Sequence, residues 1–587
     1  LTCTRRAGFQ RYTLPETDSL HVIIDLVHEL DPYWDKNKKV LEASIEFLND
    51  STIQGYRITQ GWAKYQPIYF YMVFSKPFEK TGLVKDDTIL NTKKVEGEKL
   101  KAYVDYSAKH GEQLLVKTGI SAVDITGAKN NLMAEIPHWD FDKTLQEASN
   151  TWRNTLSKIK VSTGDEDRKK IFYTAMYHSH IAPNVMSDVD GRYLGRDRQI
   201  HHSNEYEYYS TFSLWDTYRA FHPLMTIIQP GKVDDMIWSM IEHYKHSPDS
   251  LLPVWSLWSD ETWCMIGYHA VPVILDAWKK GLTDIPGDTL LKAMETFGMS
   301  NYHGLDLYRQ YGYIPADSLT NSVSRTLEYA YDDWCIAEMA KGIGKEKDYK
   351  NFLERSNYYK NLFDDSTLFM RGKLANRKWN KYDELFRMHY DNDYTEGNTW
   401  QYTWYVPHDV QGLISLMGSE AIFGERLDSL FNTKEEMKNS VVGDISGLIG
   451  MYVHGNEPSH HIIYLYNYIN QHDKTQARLK QVVDSLYTSA PGGLPGNEDC
   501  GQMSAWYVLS SIGFYPVNPA SGNYDIGLTF FDNVTIDLGN TSFHVIADTA
   551  GGNTKVKELI LNGEVMEDLF LSHEEIIKGG TLVFKFE

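Results

Sequence analysis

A long central stretch with repeated helical periodicity, flanked on both sides by short β-like runs, limits the folds open to this chain. Within residues 165–520, apolar side chains recur at intervals of three and four, which is typical of helices with one buried face. The clearest stripe comprises Val233, Met236, Ile237, Met240, Ile241 and Tyr244. Similar stripes occur at 326–340, 410–417, 462–471 and 502–511. A stretch of this length holds about a dozen helices with their loops, which predicts an (α/α)6 toroid whose loops form a pocket at one end.

The part before this stretch is predicted to be an antiparallel β-sandwich, residues 1–139. Short runs rich in Val, Ile, Tyr and Phe at 21–26, 53–62, 68–75 and 114–123 are spaced like its strands. The Lys- and Glu-rich residues 93–101 are predicted to form a solvated hairpin or sheet edge. Residues 142–160 have helical spacing, with Leu145, Ala148, Trp152 and Leu156 on one side, and predict a linker helix within 140–164.

The tail, residues 521–587, returns to β character. Strands are predicted at 534–538, 543–548, 556–561 and 582–586, and Asn562-Gly563 is a hairpin turn signal. The tail either completes the N-terminal sandwich or forms a small sheet of its own. The predicted fold class is therefore a β-sandwich joined by a helical linker to an (α/α)6 barrel, with a short C-terminal β segment.

Composition excludes several classes of protein. With 58 Lys and Arg against 79 Asp and Glu, the net charge is −21, which argues against nucleic acid as the main partner. An aromatic content of 13% argues against disorder. No window of about 18 apolar residues predicts a membrane span. Four widely separated cysteines without a CxxC pair indicate neither a zinc site nor a disulfide framework. The start lacks both Met and an apolar signal core, so we expect a processed or trimmed chain.

The first of four segments dense in polar and aromatic residues is 209–224. Asp216 is flanked by Trp215 and Thr217, so its carboxylate could bind vicinal sugar hydroxyls while the indole stacks on the ring. The alternative is a buried ion pair of Asp216 with Arg219, at helical i,i+3 spacing.

The second segment, 391–409, contains Glu396 among aromatic residues. A carboxyl group in such surroundings can have a raised pKa and act as a general acid. The alternative is a helix cap in which Glu396 accepts backbone hydrogen bonds.

The third segment, 451–467, places Glu457 directly before Pro458, which disfavours helical backbone at Glu457. Asn456 and Glu457 are therefore predicted on a loop just before a helix, where their oxygens suit a hard cation such as Ca²⁺. The adjacent His460 and His461 point in different directions on a helix, so at least one is expected in the core.

The fourth segment, 490–519, delivers Asn497, Glu498 and Asp499 from a Gly- and Pro-rich loop to the start of a helix. The helix dipole stabilises carboxylates there as anions, which suits a general base. Ordinary capping is the alternative. Two loop carboxylates in different surroundings are what glycoside hydrolysis requires, because one protonates the leaving oxygen and the other activates water or attacks the anomeric carbon.

Six segments in family order over nearly the whole chain resemble glycoside hydrolase family 92, the calcium-dependent exo-acting α-mannosidases. The matching segments are TRRAGFQRYTLP at 4–15, SLWDTYRAFHPL at 213–224, SVSRTLEYAYDDW at 322–334, EGNTWQY at 396–402, HGNEPSHH at 454–461 and GNEDCGQMSAWYVLSSIGFYPVNP at 496–519.

The resemblance implies a β-sandwich, a helical linker and an (α/α)6 barrel. It implies removal of terminal α-mannose from mannose-rich glycans or N-glycans with inversion, with Ca²⁺ engaging O2 and O3 of the sugar. By position, Glu396 resembles the general acid, Asp499 the general base and Asp216 a contact to the mannose hydroxyls. The calcium candidates are Glu457, Asn398, Asn456 and Gln401, and the further substrate-binding candidates are Trp215, Asn497, Glu498, Trp400 and His460.

Two departures from the family pattern bear on function. Asn497 stands where some members carry a second Asp, so Asp499 is expected to act alone as the base, with Glu498 as the competitor. The chain also begins inside the family's sandwich, so its N-terminal strands are expected to be missing.

Two alternatives to the mannosidase remain. One is a metal-independent (α/α)6 glycosidase of glucoamylase or trehalase type, and the other is a glycan-binding protein that has lost catalysis. The substrate class implies an exported protein, whether periplasmic, cell-surface or secreted. The linkage cleaved and the oligomeric state stay open.

Overall fold

The N-terminal part of the chain consists of two antiparallel β-sheets with a shared apolar core. The structure, a computed structural model, describes residues 1–28, 39–389, 391–433, 443–548 and 555–587. Along Leu100–Ala108, fully buried residues alternate with more accessible ones, as expected when one face of a sheet packs on another. The strands of this part are β1 (Thr2–Cys3), β2 (Ala7–Thr13), β3 (Thr17–Asp25), β4 (Lys39–Phe47), β5 (Thr52–Gln60), β6 (Gln66–Phe74), β7 (Lys80–Lys85), β8 (Thr88–Leu90), β9 (Lys94–Gly97), β10 (Leu100–Ala108) and β11 (Gln113–Ser121).

The two sheets confirm the predicted β domain. Over the described ranges one sheet has the order β1-β2-β11-β6-β5-β4-β9, and the other has the order β3-β10-β7-β8. Ile45, Phe74, Leu83, Val104 and Leu114 are buried together in their common core. β9 is an outermost strand of the first sheet and forms the edge predicted within 93–101. The last two residues of that segment, Leu100 and Lys101, instead begin β10, an inner strand of the second sheet.

Two helices and a strand follow the β domain: α1 (Ile125–Glu135), α2 (Phe141–Leu156) and β12 (Ile159–Ser162). The prediction of one helix through residue 160 is wrong at its end, because Ile159 and Val161 alternate inward as a strand. The predicted buried side also differs, since Phe141 and Thr144 are buried while Leu145 is 41% exposed. The sequence did not indicate α1, because its buried face consists of small and polar residues beside one leucine: Gly127, Ala128, Asn131 and Leu132.

The middle of the chain is mostly helical, as predicted. Its α-helices are α3 (Glu166–His178), α4 (Leu214–Thr217), α5 (Phe221–Ile228), α6 (Pro230–His246), α7 (Ala270–Lys279), α8 (Gly287–Gly298), α9 (Leu305–Tyr311), α10 (Ser322–Gly342), α11 (Glu346–Arg355), α12 (Thr399–Tyr402), α13 (Val410–Met417), α14 (Glu420–Asn432), α15 (His472–Leu486) and α16 (Gln502–Ile512). Turns of 3₁₀ helix lie at Tyr302–Gly304, Tyr358–Leu362, Tyr382–Leu385, Glu457–Ser459, Ile462–Ile469, Asp499–Gly501 and Pro519–Ser521. The stripe predicted at 462–471 is thus helical but of the 3₁₀ kind.

Short strand pairs lie in the loops between these helices. They are β13 (Asn184–Val185), β14 (Arg192–Leu194), β15 (Ile200–His202), β16 (Tyr209–Ser210), β17 (Phe212–Ser213), β18 (Trp255–Leu257), β19 (Asp260–Glu261), β20 (Phe363–Asp364), β21 (Phe369–Met370), β22 (Leu448–Ile449), β23 (Tyr452–Val453), β24 (Phe514–Tyr515) and β25 (Asn523–Ile526).

The helices form two layers. Every residue of α5 and of α16 is buried, whereas α11 buries only Phe352 and Arg355. The last helix, α16, packs against both α3 and α5, so the end of the helical region meets its start. Wholly buried helices surrounded by helices with one buried face are what a closed helical toroid requires. No helix in the described ranges combines the length and the apolar character that a membrane span demands.

The tail does not complete the N-terminal sandwich but builds a separate sheet. Its elements are β26 (Asn533–Asp537), β27 (Ser542–Asp548), β28 (Val556–Leu561), β29 (Glu564–Val565), β30 (Phe570–Ser572), α17 (His573–Ile577) and β31 (Gly580–Phe586). The sheet order is β12-β26-β27-β31-β28-β29, so the strand after the linker helix pairs with the tail. All four predicted tail strands are present. Ile536, Val545 and Phe584 join the same core as the helical region.

Candidate active site

Three carboxylates from distant parts of the sequence meet at one site. One carboxylate oxygen each of Asp216, Glu457 and Asp499 lie within 4.8 Å of one another. Asp216 lies on α4, and Glu457 and Asp499 begin the 3₁₀ turns Glu457–Ser459 and Asp499–Gly501. The fold brings them together because α4 packs against the turn that contains Asp499.

Asp216 is buried with an unbalanced charge. Asp216 is 2% exposed, Oδ2 accepts the Ser213 hydroxyl, and Oδ1 has no hydrogen-bond partner within the described ranges. Burial raises the pKa of Asp216 well above its usual range, and the neighbouring Asp499 raises it further. Asp216 does not form the alternative ion pair with Arg219. The guanidinium of Arg219 instead faces Glu328, with Nη2 of Arg219 3.7 Å from Oε1 of Glu328.

Glu457 is also a buried carboxylate with an oxygen left unpaired by the described residues. It is 1% exposed, and its Oε1 has no partner among the described residues. Burial raises the pKa of Glu457 well above its usual range, with Asp216 and Asp499 adding to the shift. A buried unpaired carboxylate oxygen is costly, and two beside a third carboxylate need a cation or hydrogen-bond donors. The donor set of this acidic cluster, Asp216, Glu457 and Asp499, fits a hard cation such as Ca²⁺.

Glu396 lies next to the acidic cluster, in the loop that leads into α12. Its backbone is left-handed (φ 46°), an uncommon conformation for a residue with a side chain. Asn456 holds it, since Nδ2 of Asn456 donates to the carbonyl of Glu396 at 3.0 Å and to Oε2 at 3.2 Å. Burial raises the pKa of Glu396 to about 8, with repulsion from Asp444 and Asp499 in the same direction. At neutral pH this carboxyl group is therefore mostly protonated.

Asp499 is delivered by a tight turn at the start of α16. The next two residues, Cys500 and Gly501, both have left-handed backbones, with φ of 54° and 88°. A Cβ on Gly501 would lie 2.9 Å from the Cα of Ser179, so the turn fits closely against the end of α3. Burial raises the pKa of Asp499, with Asp444 and Glu498 contributing.

Asn398 and Gln401, two predicted calcium ligands, lie in a capping box at the start of α12. Oδ1 of Asn398 accepts the backbone N–H of Trp400 at 2.8 Å, and Oε1 of Gln401 accepts that of Asn398 at 2.9 Å. The amide Nε2 of Gln401 donates to the carbonyl of Met451 at 2.5 Å. The capping residue of this segment is thus Asn398, and Glu396 is free for another role. Of the four predicted ligands, Glu457 contributes a carboxylate oxygen to the acidic cluster.

Three predicted substrate contacts lie in the core. The Trp215 ring is 1% exposed, and its Nε1 donates to Glu328 at 2.9 Å. Trp400 packs edge-on against Phe369. His460 uses both ring nitrogens within the protein, as Nε2 donates to the carbonyl of His454 at 3.1 Å and Nδ1 accepts from Gln502 at 3.2 Å.

Asn497 and Glu498 precede Asp499, and each side chain has a partner of its own. Nδ2 of Asn497 donates to Oδ1 of Asp444 at 2.8 Å. Glu498 accepts the Ser504 hydroxyl and the Ser504 backbone N–H at the start of α16, and its Oε2 lies 3.3 Å from Nδ1 of His178. Glu498 therefore stabilises the helix start, as expected of a capping carboxylate.

Two residues near the site were missed in the sequence. Asp444 raises the pKa values of Glu396 and Asp499, yet it stands in VVGDISG with no aromatic or histidine neighbour to mark it. Cys264 has no nearby cysteine in the sequence, so no motif predicts a functional role for it. Burial, followed by Asp216, Glu396 and Asp499, raises the pKa of Cys264 to about 12, which places the thiol beside these carboxylates.

Comparison with known proteins identifies the family of the chain. The family model described as glycosyl hydrolase family 92 N-terminal domain matches residues 1–121, and the one described as its catalytic domain matches residues 127–587. A family GH92 α-mannosidase from Bacteroides thetaiotaomicron, solved in complex with mannoimidazole, is 40% identical over 99% of this chain and 78% of that chain, with a TM-score of 0.94. A family GH92 inverting mannosidase from Bacteroides thetaiotaomicron VPI-5482 is 30% identical over 99% of this chain and 80% of that chain, with a TM-score of 0.88.

A curated relative is an uncharacterized secreted glycosidase of Arthroderma benhamiae, 27% identical over 513 residues and 79% of this chain. The chain spans 60% of the length of that relative. The two family models together cover nearly all of the chain, and the solved α-mannosidase with mannoimidazole aligns with 99% of it. The chain belongs to glycosyl hydrolase family 92.

Proposed function

We propose that the protein is an inverting, calcium-dependent exo-α-mannosidase that removes terminal non-reducing mannose from mannose-rich glycans or N-glycans. The observation that carries the proposal is the acidic cluster of Asp216, Glu457 and Asp499 with the protonated Glu396 at its side. The similar structure that was solved with mannoimidazole supports mannose as the sugar.

Glu396 is proposed as the general acid. Its raised pKa keeps a proton on the carboxyl group at neutral pH. It would give this proton to the glycosidic oxygen as the bond from that oxygen to the anomeric carbon breaks. Asn456 fixes the carboxyl group through Oε2, which orients the group for transfer.

Asp499 is proposed as the general base. Its carboxylate would take a proton from water while the water oxygen bonds to the anomeric carbon on the face opposite the leaving group. The sugar is released with inverted configuration, as in the similar inverting mannosidase. Glu498 is not assigned this role, because Ser504 and His178 already engage its carboxylate.

Glu457 is proposed to bind the calcium ion, and Asp216 to bind a mannose hydroxyl next to it. Each has one buried oxygen that finds no partner in the part of the chain that the structure describes. A bound Ca²⁺ would supply positive charge that favours the ionised carboxylates, and its six to eight oxygen positions exceed what these side chains offer. Asn398 and Gln401 remain candidate ligands, because an amide oxygen that accepts one backbone N–H group keeps a second lone pair.

An assay of mannose release with and without calcium tests the proposal. The protein should release mannose from one or more α-linked mannobioses, lose this activity in EDTA and regain it with added Ca²⁺. Glu457→Gln should need far more calcium for half-maximal activity, whereas Glu425→Gln, a matched change at an exposed site on α14, should behave as wild type. Activity unaffected by EDTA would point to a metal-independent glycosidase. Mannose binding without turnover would point to a glycan-binding protein.

We also propose that the protein is exported, because the relative from Arthroderma benhamiae is described as secreted.

A further inference from the structure

A buried ion network lies behind the acidic cluster and plays no part in the proposed chemistry. Its centre is Glu328, on α10, with a side chain that is 0% exposed. Oε2 of Glu328 lies 3.0 Å from Nε2 of His269, and Nδ1 of His269 lies 2.8 Å from Oδ1 of Asp332. Both ring nitrogens of His269 thus face carboxylate oxygens. Burial lowers the pKa of His269, but Asp332 and Glu328 raise it to about 9, so the ring is an imidazolium at neutral pH.

The other oxygen of Glu328 reaches the segment that contains Asp216. Oε1 accepts the indole N–H of Trp215 at 2.9 Å and lies 3.7 Å from Nη2 of Arg219. Trp215 precedes Asp216 directly and Arg219 follows it three residues later, so Glu328 contacts the chain on both sides of Asp216. His269 adds a further contact, because its ring stacks on Tyr218 with centroids 4.3 Å apart.

Arg219 extends the network to the other carboxylate. Its Nε donates to the carbonyl of Trp215 at 2.9 Å, and its Nη1 donates to the carbonyl of Glu457 at 3.3 Å. One guanidinium therefore joins the backbone next to Asp216 to the backbone of Glu457. Contacts of the Arg219 guanidinium with two aromatic rings support this placement. Its central carbon lies 5.1 Å from the ring centroid of Trp215 and 4.8 Å from that of Tyr218.

We propose that Glu328, held by His269, is a positioning residue for the cation site, and that it sets the distance between Asp216 and Glu457 through Trp215 and Arg219. Glu328 touches neither substrate nor ion. Its carboxylate instead offsets, together with the acidic cluster, the positive charge of Arg219 close to the place where Ca²⁺ would bind. The inference rests on the proposed function, because it assumes that this cluster binds calcium.

Two variants test the inference through binding of Ca²⁺ alone, measured by titration calorimetry without substrate. Glu328→Gln removes the charge but keeps the hydrogen bonds, because a glutamine can accept from Trp215 and donate to a neutral His269. Trp215→Phe removes the indole donor and keeps an aromatic ring, although the smaller ring also leaves space in the core. The expected result is a rise in the calcium dissociation constant of at least ten-fold for Glu328→Gln and about three-fold or more for Trp215→Phe. The double variant should show less than the product of the two effects, because both act on one contact.

Glu338→Gln is the matched control. Glu338 lies on the same helix, but its partners are Lys279 and Lys341, and it has no contact with Arg219 or Trp215 among the described residues. This variant should bind calcium as wild type does. Thermal unfolding of the calcium-free proteins separates a local effect from loss of the fold, and we expect both network variants to stay folded. If Glu328→Gln does not fold, the calcium affinity of Trp215→Phe alone tests the inference.

The outcomes of this experiment are distinguishable. Folded variants with wild-type calcium affinity would overturn the inference and leave the proposed function intact. An unmodified protein that binds no calcium would overturn the proposed function and the inference with it. Weaker calcium binding in both variants, with the control unchanged, would support the inference.

Discussion

The side-chain amide of Asn456 donates to both the carbonyl and the carboxylate Oε2 of Glu396. Asn456 is the neighbour of Glu457 in the chain. The proposed acid and the proposed calcium ligand are therefore joined by a single amide and one peptide bond. This connection would make the proposed proton transfer and the proposed cation binding dependent on one loop.

Removal of that amide should move the pKa of the acid. The hydrogen bond from Asn456 favours the ionised form of Glu396 and so lowers its pKa. Asn456→Ala should therefore raise the pH at which kcat/KM falls on the alkaline side, by about one pH unit or less, and should reduce kcat because the carboxyl group is no longer oriented. A pH–rate profile of the variant checks this. An alkaline limb at the wild-type pH would show that the contact does not act on the acid.

The alkaline limb of the wild-type protein is itself predictable. Glu396 must be protonated to act as an acid, and its pKa is raised to about 8. Activity should therefore be retained at neutral pH and fall as the pH passes through about 8. Because a nearby cation favours the ionised carboxylate, the limb should move to lower pH as calcium increases. An alkaline limb that does not depend on calcium would argue against an ion next to Glu396.

The assignment of the base can be tested against its neighbour. Asp499→Asn should reduce kcat by about 10²–10⁴-fold, the usual contribution of general acid–base catalysis. Glu498→Gln should retain most activity and instead lower the melting temperature, because it weakens the contacts with Ser504 and His178. Kinetic constants and thermal melts of the two variants give the comparison. The reverse pattern would make Glu498 the base.

The cysteines next to the site should be unreactive. Burial, together with nearby carboxylates, raises the pKa values of Cys264 and Cys500 to about 12, so very little thiolate exists at pH 8. Alkylation with iodoacetamide at pH 8 should modify the exposed Cys3 and leave activity unchanged. Peptide mass spectrometry identifies the modified residue, and a Cys3→Ser variant is the control. Rapid alkylation of Cys264 with loss of activity would contradict this electrostatic picture.

Helices whose buried face is apolar could be predicted from the sequence. The stripe at 410–417 coincides with α13, and Val233, Met236, Ile237, Met240 and Ile241 are all buried in α6. Helix α1 could not be predicted in this way, because it buries Gly127, Ala128 and Asn131 next to the sheet. A buried polar residue needs a specific hydrogen-bond partner, and here Asp188 accepts from Nδ2 of Asn131 at 2.7 Å. The spacing of apolar residues in the sequence does not reveal such partners.

The carboxylates of the site were identifiable, but the surrounding residues were not. Asn398 and Gln401 have the spacing of a capping box, and the same side-chain oxygens would suit calcium, so spacing alone does not separate the two roles. Trp215 stands next to Asp216, but its ring faces Arg219 and Glu328 in the core. Which way a side chain next to a functional residue points depends on its tertiary neighbours, and these come from distant helices such as α10.

The central claim, that Glu396 is the acid of a mannosidase, is tested most directly by Glu396→Gln on two substrates. One is an α-mannobiose, whose sugar leaving group needs a proton, and the other is a dinitrophenyl α-mannoside, whose leaving group does not. The account predicts a loss of about 10²–10⁴-fold in kcat/KM on the mannobiose and a far smaller loss on the activated substrate. Equal losses on both substrates, or full activity on the mannobiose, would contradict it.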